Sequence, residues 1–242
     1  MLQRIRKFIR EKIDRLAPRV GLHRTSGLRF RQLKSTKVFC IGRNKTGTNS
    51  LTRALSDLGY KMGDQRKAER LIKHWRDRDF RPIIEYCRTA DAFQDVPFSW
   101  PFTYIVLDQA FPGSKFILSV RDPDDWYASY IRHQKQVVGT DEIPTPEELK
   151  AHPYVWKGWL YDIKIYRGRP EERFYDEEFI KEQFVRYNKN VREYFDFKDN
   201  LLTVNVADND AYQRLCKFLG EEPIYEDMPW ENRTRPISPD EE

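Results

Sequence analysis

The sequence predicts an α/β fold: a parallel β-sheet flanked by helices on both faces, with a helical insertion. Three observations predict it. Short apolar runs with little polar alternation, VFCIG at 38–42 and KFILSV at 115–120, read as strands buried on both faces. Segments of helical period lie between such runs, the order that builds a parallel sheet. A chain of 242 residues, 39% hydrophobic and 14% aromatic, is long enough for one domain with a substantial core.

In order, the first strand is followed by a glycine-punctuated loop and a helix over 48–58, which Gly59 closes as a C-cap. A polar, arginine-rich stretch over 64–88 holds helical pieces. DAFQD at 91–95 reads as a short strand that Pro97 terminates, YIVLDQAF as a helix, and SKFILSV at 114–120 as a buried strand. DPDDWYASYIRHQ then opens a helix with an acid-rich first turn and Pro123 near its first position. Residues 137–170, broken by Pro144, Pro146 and Pro153, read as the insertion. A long helix over 171–196, the strand NLLTVNV and the helix AYQRLCKFLG complete the domain. Ligands bind at the carboxyl ends of the strands in such sheets. The loop after strand one, DVP after strand two and RDPDDWYAS after strand three all fall on that edge.

Charge divides the chain at about residue 36. Residues 1–25 carry eight Lys or Arg against two acids, while the remainder is close to neutral with 35 basic and 36 acidic residues. Leu2, Ile5, Phe8, Ile9, Ile13 and Leu16 recur at helical spacing among those cations. Residues 1–36 therefore read as a basic amphipathic N-terminal helix and linker, and 37–242 as the α/β domain. Such a helix suits an anionic membrane surface through residues 1–16, or docking on its own domain or on a partner subunit, as in a homodimer. Because the basic excess does not extend over the folded domain, nucleic acid is not an expected partner. The start is too charged for a signal-peptide apolar region, no run of about 18 apolar residues exists to span a membrane, and the odd set Cys40, Cys87, Cys216 reads as reduced thiols. A cytoplasmic, or membrane-peripheral, protein is the expectation.

The loop GRNKTG has the G-x-x-x-x-G spacing of a P-loop, but Thr48-Asn49 follows where Lys-Ser/Thr would grip a triphosphate and magnesium. Lys45 stands ahead of the second glycine, Gly47. Helix-start N–H groups with the Thr46, Thr48 and Ser50 hydroxyls still make an anion nest. At the end of the third strand, Arg121 offers a guanidinium fork matched to phosphate oxygens, and Ser129 follows two helical turns later. An Arg–Asp turn contact is the plainer reading of RDP alone.

NKTGTNSL resembles the 5'-phosphosulfate loop of sulfotransferases that use 3'-phosphoadenosine 5'-phosphosulfate (PAPS), with Asn44 in place of the usual proline. FPGSKFILSVRDPDDWYASY is similar to their strand running into R-x-P-x-D/E-x-x-x-S, whose Arg and Ser hold the 3'-phosphate. The resemblance, to bacterial and carbohydrate-type members, covers most of residues 37–233. It implies a P-loop nucleotide-kinase-like fold, PAPS as donor with 3'-phosphoadenosine 5'-phosphate as product, and no metal requirement. It implies donor contacts from Arg43, Asn44, Lys45, Thr46, Gly47, Thr48, Asn49 and Ser50, and from Arg121 and Ser129. Asn232 and Arg233, in the tail, fall where members place a further N-x-R. Lys45 becomes the electrophile on the leaving phosphate, and Asp95, two residues before Pro97, the base for the acceptor proton. Asp95 as a cap of the next turn is the plainer alternative. Glu85 and His74 stand next as bases, and His133 reads as a helix-surface residue. The insertion aromatics Tyr154, Trp156, Trp159, Tyr161 and Tyr166 suit a sugar ring or a phenol, or equally a packed helix face. The expected acceptor is a hydroxyl or amine on a carbohydrate, glycolipid or small metabolite. A P-loop nucleotide kinase or NTPase, and a non-catalytic anion-binding protein with a basic arm, are the alternatives.

Overall fold

The computed structural model describes residues 33, 34 and 36–229. The helix and linker expected over 1–36 fall almost wholly outside those residues, as do Asn232 and Arg233.

Strand β1 (Val38–Cys40) leads into helix α1 (Thr48–Asp57), the short helices α2 (Gln65–Glu69), α3 (Ile72–Arg76) and α4 (Arg81–Tyr86), and strand β2 (Ala92–Gln94). Helix α5 (Thr103–Ala110), strand β3 (Lys115–Ser119) and helix α6 (Pro123–Val138) follow. The insertion forms α7 (Pro146–Ala151) and α8 (Trp159–Ile165), before α9 (Glu177–Phe195), β4 (Leu201–Val204) and α10 (Ala211–Leu219). All strand pairings are parallel and the sheet order is β2-β1-β3-β4. The expected α/β architecture stands.

The pleat sorts the core into two layers. On one face Phe39, Phe93 and Phe116 stack at 5.4–5.7 Å from Phe39 under Tyr187, Val191 and Phe195 of α9. On the other, Val38, Cys40 and Ile117 meet Leu51 and Leu55 of α1 and Leu215 of α10. Burying each large side chain contributes about 1.5–3 kcal/mol. A third cluster, Trp126, Tyr130, Ile180 and Phe184, fixes α6 on α9, with Trp126 and Phe184 stacked at 4.1 Å.

Local signals set the helix ends. Gly59, at φ 86°, closes α1 with its N–H on Ser56 O. Asp122 caps α6 by accepting from the N–H groups of Asp124 and Asp125, with Pro123 at the first position. The helix expected from 171 begins at 177, because Asp176 takes the Phe179 N–H at 2.8 Å as its cap. Residues 171–173 form a separate 3-10 turn.

The insertion aromatics are committed to packing. Trp159 is buried and its Nε1 donates to the Glu69 carbonyl at 3.1 Å. Trp156 Nε1 donates to Asp162, Tyr154 OH to Glu69, Tyr161 OH to Glu171, and Arg76 donates to Tyr166 OH. Of the two readings of these rings, the packed helix face is the one the structure carries.

Candidate active site

The carboxyl edge of the sheet brings Gly42, Asp95 and Arg121 into line, each just past the end of β1, β2 or β3. Two glycines let the first loop lie there. A Cβ on Gly42 would come within 2.0 Å of Ser119 Oγ and 2.6–2.7 Å of the Ser119 backbone. Gly47 has φ 91°, and a Cβ there would meet Val206 at 2.2 Å. The loop is thus wedged between the ends of β3 and β4.

Side chains then lock it. Thr46 Oγ1 donates to the Arg43 carbonyl and bonds Ser119 Oγ, both at 2.6 Å. The hydroxyl expected to face an anion therefore works inside the loop, in a residue only 2% exposed. Tyr187 OH donates to Ile41 O at 2.7 Å, and Trp126 Nε1 to Asn44 O at 2.9 Å. Gly47 caps α1 without a side-chain hydrogen bond to the N–H groups of the first turn. Those donors and the positive end of α1 make the start of the helix receptive to an anion. Thr48 and Ser50 are buried there, and Asn49 is exposed.

Lys45 stands at the crest of the loop in the left-handed region, φ 69°. Burial first, then Arg121 and Arg132, lower its pKa, while Asp95 opposes them. Arg121 has no hydrogen-bond or ion-pair partner among the described residues. Asp122 spends its carboxylate on capping α6. The plain Arg–Asp turn is therefore not what this segment forms. Ser129, on α6, is buried at 7% exposure.

Asp95 also has a positive φ, 56°, and precedes a cis Val96–Pro97 bond. Its backbone carbonyl accepts from Ser99 N at 2.8 Å. Oδ1 is buried without a protein partner. Burial pushes the carboxyl up to about 6, against the pull of the Val96 N–H and of Arg167, Arg43 and Lys45. A carboxylate poised near neutrality suits proton transfer.

The other candidates separate. Glu85 and His74 are exposed, and Glu85 pairs with Arg88. His133, expected on a helix surface, is instead half-buried, and burial with Lys45 and Lys164 holds it at about 4. It lies one turn beyond Ser129 on α6. Glu69, overlooked in the sequence, is buried, pairs with Arg66 and is pushed up to about 7 by burial. Arg43 is 5% exposed with its guanidinium 4.0 Å above the Tyr187 ring. Lys164, Arg167 and Arg169 surround this region from the insertion. KIYRGR, three cations in six residues at 164–169, was the signal for them.

Among curated proteins none matches the sequence significantly. The family profile described as sulfotransferase domain matches residues 37–237, the whole α/β domain with the loop, Asp95 and the Arg121–Ser129 segment inside it. This chain is a member of the sulfotransferase domain family, whose chemistry is sulfuryl transfer.

Proposed function

We propose that the protein transfers a sulfuryl group from PAPS to a hydroxyl or amine of an acceptor, a carbohydrate, glycolipid or small metabolite. The observation that carries the reading is the common edge shared by an anion-receptive loop with Lys45, an unpaired Arg121 and a raised Asp95. When bound, PAPS supplies an SO3 unit on a phosphate leaving group. Asp95 accepts the acceptor proton as the acceptor oxygen or nitrogen takes the sulfur, and Lys45 neutralises the charge left on the departing phosphate. Arg121 and Ser129 hold the 3'-phosphate, and the α1 N–H groups hold the 5' end. The reading calls for no divalent metal.

Buried free thiols at Cys40, Cys87 and Cys216 support a reducing, cytoplasmic setting. No helix among the described residues is long and apolar enough to cross a membrane.

The test is thermal stabilisation by 3'-phosphoadenosine 5'-phosphate against AMP and ATP. At about 100 times its dissociation constant the 3'-phosphorylated nucleotide adds roughly 2.7 kcal/mol. Equal shifts with AMP, or none, remove the assignment.

A further inference from the structure

Tyr130, on α6, is 4% exposed, and two cations converge on its phenol oxygen. Lys164 Nζ, from α8, donates to it at 2.9 Å and Arg169 Nη1 at 3.0 Å. Both cations are 2% exposed, and neither makes an ion pair with a carboxylate among the described residues. Their other hydrogen bonds among those residues go to neutral amides. Lys164 donates to Gln134 Oε1 of α6 at 2.7 Å, and Arg169 Nε to Gln183 Oε1 of α9 at 2.9 Å. Around them the lining is aromatic and apolar. Trp126 stacks on the Tyr130 ring at 5.6 Å, and Ile180 and Phe184 of α9 close the cluster.

Two buried cations call for an anion. A neutral phenol would also have to place its own proton, and Tyr130 donates no hydrogen bond among the described residues. Either Lys164 or Tyr130 can give up a proton to relieve the cluster. Arg169 cannot, and a phenolate is the outcome that balances it as well as the lysine. Burial opposes ionisation of the phenol, yet Lys164, Arg169 and Arg167 outweigh burial and bring it down to about 7. The other titratable neighbours are Tyr127 on α6 and Tyr175, whose ring lies 6.5 Å away. Burial raises both of these phenols and keeps them neutral.

The structure assigns Tyr130 as a tyrosinate, the buried anion shared by Lys164 and Arg169 and the positioning residue that fastens the insertion to α6 and α9. Three segments distant in the chain meet at one oxygen: α6, the insertion through Lys164 and Arg169, and α9 through Gln183 on that arginine. The inference goes beyond the proposed transfer reaction and does not depend on it. Its test uses no nucleotide, so the two can fail separately.

Tyrosinate is told from tyrosine by its near-ultraviolet absorbance band, read here as difference spectra of the full chain against pH. At about pH 8, well below the ordinary tyrosine value of about 10, wild type shows a band equal to one tyrosinate per chain. The band fades as pH falls through about 7. Tyr130→Phe, which keeps the ring and its stack on Trp126, lacks the band, whereas Tyr175→Phe retains it. Lys164→Met moves the midpoint upward by at least about one pH unit, tenfold in the ionisation constant. Hydrogen exchange, corrected for its intrinsic pH dependence, reads the positioning role. Protection of the α8 amides in wild type falls at least about tenfold as the band is lost, and in Tyr130→Phe it is low at both pH values. No band in wild type at about pH 8 overturns the assignment in favour of a neutral lysine–phenol pair. A band that survives in Tyr130→Phe, or a midpoint unmoved in Lys164→Met, overturns it too. Wild-type α8 protection that ignores the loss of the band removes the positioning role. Should Tyr130→Phe fail to fold, the wild-type titration and the Lys164→Met midpoint still decide.

Discussion

Asp95 makes a pH-dependent stability that can be worked out in advance. Its carboxyl sits at about 6 in the fold and near 3.9 in an unfolded chain. The folded state therefore holds the proton more tightly between those values. Stability contributed by protonated Asp95 is complete below about pH 4, is lost as pH rises toward about 6, and changes no further above it. A displacement of about two units corresponds to at most about 3 kcal/mol between the two plateaus. Asp95→Asn keeps the shape and removes the charge, so it should be more stable than wild type at pH 7 and closely matched to it at pH 4. Urea melts followed by tryptophan fluorescence from pH 4 to 8 measure the difference. The window separates Asp95 from Glu69, whose raised value of about 7 extends its own slope to higher pH. Parallel curves for the two proteins across pH 4–6 would refute a desolvated Asp95.

Gly42→Ala drives a methyl group into the Ser119 backbone at 2.6–2.7 Å and should cost about 3 kcal/mol, lowering Tm by roughly 6–12 °C; a thermal melt unchanged from wild type contradicts the close approach. Trp126→Phe preserves the stack on Phe184 but removes the donor to Asn44 O, and urea titration should show a loss of about 1–2 kcal/mol. Arg121→Ala should weaken 3'-phosphoadenosine 5'-phosphate far more than AMP in calorimetry, and equal losses would take Arg121 out of the 3'-phosphate site. With a turned-over acceptor in hand, kcat/KM should fall roughly tenfold per pH unit below about 6 and lose that limb in Asp95→Asn.

What was legible in the sequence was what short-range chemistry dictates. Asp122 and Pro123 announce the start of α6 because capping involves neighbours only, and the apolar runs around Phe39 and Phe116 announce strands because both their faces are buried. The order of those strands placed the loop, Asp95 and Arg121 on one edge. Competing caps blurred the start of α9, where Pro170 initiates a turn and Asp176 the helix. Long-range burial was out of reach. Nothing near His133 in the chain reveals that the insertion brings Lys164 toward it, and nothing near Arg43 reveals Tyr187 beneath its guanidinium. Nothing near Glu69 in the chain reveals that Tyr154 and Trp159 bond to it.

The hydrogen bond from Trp126 to the Asn44 carbonyl joins the loop that begins α1 to the helix that carries Ser129. With Thr46 tied to Ser119 at the end of β3, the loop is also stitched to the strand that leads into that helix. In the proposed reading they are the jaws of a caliper whose gap is set before any ligand arrives. A nucleotide is then sorted by the distance between its two phosphate ends, and one that spans the gap meets both jaws without first having to close them.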